Sequence, residues 1–356
     1  MAEACVLITV YNGAPWIGEA LDSALAQQGT DLEILVVDDG STDATPEILD
    51  RRAALAPGRI RVMTIEHAGR SRARNIGADN VEAEFVTLLD ADDRMHPLRV
   101  KLECDALRAH PDAVLSFSGR WNFEDGADVG TWGFTPGAFR VRPGEAFTRL
   151  ADPISAVLAA GEYPGTNACT CRTSWARGPG RLDPDYQVFE DGERWIRCLR
   201  DTPVVYVAAP LYQRRLHPTV TSAARSMEEL EAPLFAVIDS ARSDWSRYNR
   251  EQRARISRFE QSAGVTLARS AGLERGRATG IRFLFRHARR LHSLVWWRTL
   301  AFLLTPAPVH ATWRRWRPKG LDPVRAGVPL AEVMAPDPLR IWAPPPRTGG
   351  AVAGPR

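Results

Sequence analysis

The chain has 356 residues, 44% of them apolar and 25% charged, which is too long for one small core and sets an expectation of about two domains. A formal charge of +3 is too small to point to nucleic acid as a partner, and no uninterrupted apolar run approaches the ~20 residues that span a bilayer. The five cysteines, Cys5, Cys104, Cys169, Cys171 and Cys198, lack CxxC spacing, so free thiols in a reducing compartment fit better than disulfides or a zinc site.

The first segment, MAEACVLITVYNG, has no basic start and its apolar run ends at Asn12, far short of a signal peptide, so the expected location is the cytoplasm. Val6 to Asn12 reads as a buried strand, with a turn at Asn12-Gly13 and a helix from about Pro15 to Gln28. Leu32 to Val37 forms a second strand running into Asp38-Asp39-Gly40-Ser41, after which Thr45 and Pro46 can start a helix. A third strand spans about Ile60 to Ile65 and leads into the arginine-rich segment Ala68-Gly69-Arg70-Ser71-Arg72-Ala73-Arg74-Asn75. The fourth, Phe85 to Leu89, stops abruptly at Asp90-Ala91-Asp92-Asp93. A helix from about Pro97 to His110 and a strand from Ala113 to Ser118 follow.

Strands alternating with helices predict an α/β fold built on a largely parallel, doubly wound sheet, in which loops after each strand line one edge. Tyr11, Asp39 and Asp90 to Asp93 all lie just beyond the carboxyl ends of their strands, so this topology gathers them in one crevice. Asp90 and Asp92, one residue apart, can reach one divalent cation, and oxygen ligands suit Mg²⁺ or Mn²⁺. The alternative is that Asp92 or Asp93 only caps the next helix.

From Trp121 to Gly165 the pattern weakens into Gly, Pro and aromatic residues, read as loops over the crevice with a short helix near Gly144 to Leu150. Thr166 to Arg172 is expected to be a strand, with Cys169 and Cys171 on one face as small core residues or a thiol pair. Phe189 to Leu199 is a helix with acids in its first turn, Val204 to Ala208 a strand, and Leu211 to Ser222 a returning loop. Beyond about Met227 the composition shifts to long amphipathic helices. Arg275 to Leu321 is rich in arginine and aromatic residues, Trp313 and Trp316 included, which suits a helix in an anionic membrane interface. A helical subdomain packed on the main body is the other reading. The Pro-rich tail lacks periodicity and is expected to be extended or disordered.

Taken together, LITVYN, VVDDGSTD, AGRSRARNIGA, LLDADD, FEDGERWIR and YQRRLHPTVTS resemble, in order, the motifs of the family-2 glycosyltransferases over about residues 4 to 222. The resemblance implies a GT-A fold, with a Rossmann-like sheet flanked by helices, and an inverting, metal-dependent, hexosyltransferase-like enzyme. It divides the chain into a nucleotide-sugar domain over 1–225, a basic helical region over 226–320 and a tail over 321–356. By the same resemblance, Thr9, Tyr11 and Asp39 hold the nucleotide base and Asp90 faces the ribose or the metal shell. Arg74 lies near the nucleotide or the carboxylates of this edge, Asp92 ligates Mn²⁺ or Mg²⁺ with His217 approaching the same ion, and Asp191 is the catalytic base. Asp38 is read as a turn residue, Asp93 as structural, and Glu190 as an acid at a helix start.

The implied donor is a nucleotide-diphosphate sugar, with UDP as the favoured nucleotide. The implied acceptor is a saccharide or lipid-linked saccharide of the cell envelope. A nucleotidyltransferase would want a Gly-rich basic loop after the first strand, where this chain has Tyr11-Asn12-Gly13-Ala14-Pro15-Trp16, and there is no GxxxxGK[ST] segment. A non-catalytic nucleotide-sugar-binding scaffold is the remaining alternative, and an acid retained at 191 argues against it.

Overall fold

The computed structural model describes residues 2–126, 129–132, 139, 145–160, 165–186, 188–200, 202–217, 227–291, 293–304 and 326–329. Its first half alternates strand and helix: β1 (Ala4–Val10), α1 (Ile17–Leu25), β2 (Leu32–Asp38), α2 (Thr45–Leu55), β3 (Ile60–Thr64), α3 (Arg70–Asp79) and β4 (Phe85–Asp90). These four strands pair in parallel in the order β3-β2-β1-β4. A two-residue strand β5 (Arg94–Met95) and helix α4 (Arg99–Ala109) precede β6 (Leu115–Phe123), β7 (Val129–Trp132) and β8 (Phe147–Leu150). Then come α5 (Pro153–Ala160), a 3₁₀ turn over Thr166–Ala168, β9 (Cys169–Arg172), α6 (Thr173–Arg177), α7 (Glu190–Cys198) and β10 (Val204–Arg215). Antiparallel β9 is inserted between β4 and β6, whereas β10 pairs with β6 in parallel. The sheet is therefore mixed, parallel in its N-terminal half.

Alternation along β1 explains the two layers. Val6, Ile8 and Val10 pack on Ile17, Leu21 and Ala24 of α1 and on the face of α4, while Cys5 and Leu7 pack with Ala73 and Ala78 of α3 and with Trp175 and Trp195 on the other side. Cys169 and Cys171 join the second cluster as free, buried thiols, small core residues on one strand face.

Two sequence expectations give way. The helix near Gly144 to Leu150 is the strand β8, because Phe147–Leu150 finds an antiparallel partner in Val204–Val207 and tertiary pairing overrides local preference. The loop expected from Leu211 continues as strand through Arg215. Pro210 is accommodated within the strand because the register with β6 shifts between Val207 and Tyr212, and a proline costs no ladder bond at such an irregularity. Opposite it, Gly119 admits the bulging backbone: a Cβ there would stand 3.0 Å from the Ala209 carbonyl oxygen.

After β10 come α8 (Met227–Ser243), α9 (Arg250–Glu274), α10 (Arg277–Arg286), α11 (Ser293–Leu304) and a short strand β11 (Ala326–Pro329), which pairs with β7 inside the sequence expected to be an extended or disordered tail. Trp313 and Trp316 lie outside the described residues. The helices pack on the sheet domain. Val237, Ala241 and Ile256 form a cluster with Ile154 and Ile196, and the Tyr248 hydroxyl donates to the Ile196 carbonyl at 3.1 Å. Asn249 starts α9 with a reciprocal capping pair to Gln252. Helices α9 and α10 approach so closely that a Cβ on Gly280 would lie 2.6 Å from the Ala268 carbonyl oxygen and 2.8 Å from Gly272 Cα. Gly280→Ala is accordingly expected to destabilise the protein by about 1–3 kcal/mol in urea unfolding. Helix propensity alone would stabilise it by about 1 kcal/mol, so a stabilised variant would rule out this contact as described.

Candidate active site

The loops after β1 and β2 are laced together at the carboxyl edge of the sheet. Asn12, with φ of 52°, accepts at Oδ1 from the Thr42 amide at 2.8 Å, and its own amide donates to Ser41 Oγ at 2.9 Å. Buried Asp38 accepts from the Ser41 amide at 3.0 Å, the turn role expected of it. Asp39 is also buried and accepts from the amides of Ala68 (2.7 Å) and Gly69 (3.0 Å), which fixes the entry to α3. His67 Nδ1 lies 3.0 Å from an Asp39 carboxylate oxygen, and its ring stacks on Tyr11 with centroids 4.1 Å apart. Tyr11 is 48% exposed, so the pair presents an aromatic surface beside an anchored carboxylate. Thr9 sits one strand over, in register with Asp90.

Asp90 accepts from Arg74 at 2.6 Å and from the Asn167 side-chain amide at 2.5 Å. Arg74, nearly buried, also donates to Glu190 at 3.0 Å, so one guanidinium joins the end of β4 to the start of α7. Burial opposes its charge, but Asp90, Glu190 and Asp191 outweigh burial and hold it protonated above the ordinary arginine range. Burial likewise works against the Asp90 charge, and Arg74 and Arg70 override it, leaving the carboxyl below the usual range. Glu190 goes the other way: burial first, then neighbouring Asp191, push its carboxyl up despite Arg74 and Arg70.

Asp93 is structural, as expected. It accepts from the Arg215 amide at 2.7 Å and from the Tyr212 hydroxyl, and burial, with Asp92 and Asp90 nearby, pushes it well above the carboxylate range. Asp92 is left the most open of the three, facing His217 Nε2 at 3.1 Å. The His217 ring is held against Trp16 with centroids 4.1 Å apart. Donor atoms of Asp90, Asp92 and Asp93 all lie within 4.8 Å of one another. With Asp90 tied to Arg74 and Asp93 tied to β10, the donors available to a cation are the Asp92 carboxylate and His217. A hard divalent ion that completes its shell with water and phosphate oxygens fits that set.

Half-buried Asp191, in the first turn of α7, accepts at Oδ1 from the Thr166 amide at 3.0 Å. The next residue, Asn167, is the one that reaches Asp90. Two consecutive residues thus hold the acid of α7 and the acid of β4, and Asn167 is braced from behind because Arg99 donates to its carbonyl at 3.0 Å. All eight residues singled out from the sequence, Thr9, Tyr11, Asp39, Arg74, Asp90, Asp92, Asp191 and His217, lie along this edge. Asn167, Glu190, Tyr212 and His67 complete it; Glu190 and Tyr212 fall inside the motifs FEDGERWIR and YQRRLHPTVTS without a site role, and no spacing signal in the sequence marks Asn167 or His67.

Residues 5–149 match the family model described as glycosyl transferase family 2. Among relatives, an uncharacterized glycosyltransferase of Rickettsia typhi is 28% identical over 233 residues, which cover 64% of this chain and 69% of that one. The succinoglycan biosynthesis protein ExoO of Rhizobium meliloti is 38% identical over 96 residues, but the match spans only 27% of either chain. The S. aureus TarS 1–349 structure in complex with UDP-GlcNAc superposes with a TM-score of 0.55 at 16% identity, covering 88% of this chain and 93% of that one. At that identity the likeness establishes the fold, a GT-A-type sheet followed by helices.

Proposed function

We propose that the chain, whose residues 5–149 match the glycosyl transferase family 2 model, transfers a sugar from a UDP-sugar to an acceptor hydroxyl, with inversion at the anomeric carbon, in building a cell-envelope or extracellular saccharide. The observation that carries this reading is the Thr166-Asn167 link, which sets an open carboxylate, Asp191, against the Asp90–Asp92–His217 edge. Relatives support the direction: ExoO is a succinoglycan biosynthesis protein and TarS binds UDP-GlcNAc. The acceptor is read as a saccharide or lipid-linked saccharide, and the buried free thiols suit a cytoplasmic setting.

In this mechanism Asp39 and the Tyr11–His67 stack receive the base, since a carboxylate accepts a ring N–H while the ring packs on an aromatic face. Asp90, kept ionised by Arg74, faces the ribose. A divalent cation held by Asp92 and His217 would supply Lewis-acid neutralisation of the diphosphate. Thr166 keeps Oδ1 of Asp191 occupied and aims the carboxylate, whose free oxygen takes the acceptor proton as the hydroxyl attacks. One base suffices for a single displacement.

Thermal melting with UDP, GDP and their sugar derivatives, with and without Mn²⁺, tests the donor side, because a ligand of the folded state raises the melting temperature. UDP compounds are expected to stabilise the chain, more strongly with Mn²⁺. In Asp92→Ala the Mn²⁺-dependent increment should vanish while the metal-free shift remains. An unchanged increment would remove Asp92 from the metal, and indifference to every nucleotide would remove the donor assignment.

A further inference from the structure

We propose that the outer face of α10 and α11 is a docking surface for an anionic lipid leaflet. Seven large apolar side chains are exposed among the described residues, and four of them, Phe285 (58%), Leu294 (66%), Trp297 (62%) and Leu304 (59%), fall within this helical pair. Their placement is regular. On α11, Leu294, Trp297 and Leu304 share one side of the helix, whereas buried Thr299 and Leu303 lie on the other, and Leu303 packs at the α9–α10 contact formed by Gly272 and Gly280. Helix α11 is thus apolar on both sides, and the domain covers only one of them. A helix that needed only its own domain would carry polar residues on the outer side.

Charge selects the partner. Residues 275 to 304 contain seven arginines and no acid. The acids that approach from α8 and α9 are already engaged: Glu231 by Arg286 and His287, and Asp239 and Glu260 by Arg290. Arg277, Arg282, Arg289 and Arg298 are exposed and leave this side of the helices positive. A symmetric contact with a second copy would press the same arginines together. An anionic leaflet offers the complement, with acyl chains for Trp297 and the leucines and headgroups for the guanidinium groups, each cation adding about fivefold to partitioning.

Sedimentation of the full chain with phosphatidylcholine vesicles, with and without phosphatidylglycerol, tests this independently of any transferase activity. The wild type is expected to bind only the anionic vesicles and to lose that binding in high salt. Two variants separate the contributions: Leu294→Ser with Trp297→Ser and Leu304→Ser, and Arg282→Glu with Arg289→Glu and Arg298→Glu. Each should weaken partitioning more than tenfold with an unchanged far-UV spectrum, and the charge variant, which leaves the apolar packing intact, decides the matter if the first one unfolds. Failure of the wild type to bind anionic vesicles overturns the proposal, as does equal binding by the charge variant. A concentration-dependent dimer lost in the variants, without vesicle binding, would assign the face to a second copy instead.

Discussion

Asp191→Asn is expected to lower sugar transfer by about 10²- to 10⁴-fold, the usual contribution of a positioned base, with nucleotide binding unchanged. Asparagine keeps the shape of the side chain and one oxygen for the Thr166 amide, so the turn at 165–167 and its hold on Asp90 survive. What disappears is the capacity to take a proton. The substitution also removes a negative charge from beside Glu190, whose carboxyl Asp191 helps to push up. The variant should therefore be at least as stable as the wild type, which distinguishes a chemical defect from a structural one. Release of UDP from a donor and acceptor pair, measured alongside thermal melting with UDP, reads both quantities. Turnover near the wild-type rate would mean that another group is the base, and lost UDP binding would mean that Asp191 serves the donor.

Arg74→Ala should have the largest effect on stability. Removing one partner of a buried ionic network typically costs about 3–5 kcal/mol, because the charges left behind are no longer compensated. Here two carboxylates lose their nearest cation and keep only Arg70, 3.5 Å from Glu190, and Glu190, already pushed upward by burial, relieves part of the loss by binding a proton. A loss of about 3 kcal/mol in urea unfolding follows. Arg74→Lys should restore little of it, since a lysine offers one compact charge where the guanidinium fork spans Asp90 on β4 and Glu190 on α7. A variant within about 0.5 kcal/mol of the wild type, the range of ordinary surface substitutions, would show that the bridge carries no weight.

Much of the N-terminal, parallel half of the sheet was legible in the sequence because its signals are local. An apolar run that ends in Asp, followed by a turn and an amphipathic helix, specifies a strand edge wherever it occurs, and Tyr11, Asp39, Asp90 and Asp92 all lie at such points. The half built from β6 to β10 depends on long-range contacts. Asn167 has no local signature; its importance comes from Asp90, 77 residues away, and from Arg99 behind it. The Arg99–Glu103 pair has ordinary i,i+4 helical spacing that carries no mark of burial, yet Glu103 lies inside the fold and accepts from Ser118 and Thr170. Strand β10 runs past Ala208 to Arg215 because its pairing with β6 resumes beyond a register shift at Pro210, a long-range contact with no local signal.

The helical region has a further effect through Phe189. This residue adopts a left-handed backbone, φ 60°, immediately before α7, a conformation that costs a bulky side chain about 1–3 kcal/mol. Its ring packs against both clusters that the helices α8 to α11 bring to the sheet domain. The carboxylate of Asp191 therefore starts from a cocked joint held shut by the C-terminal third of the chain. Any force that lifts those helices, a leaflet pulling on α11 included, arrives two residues from Asp191.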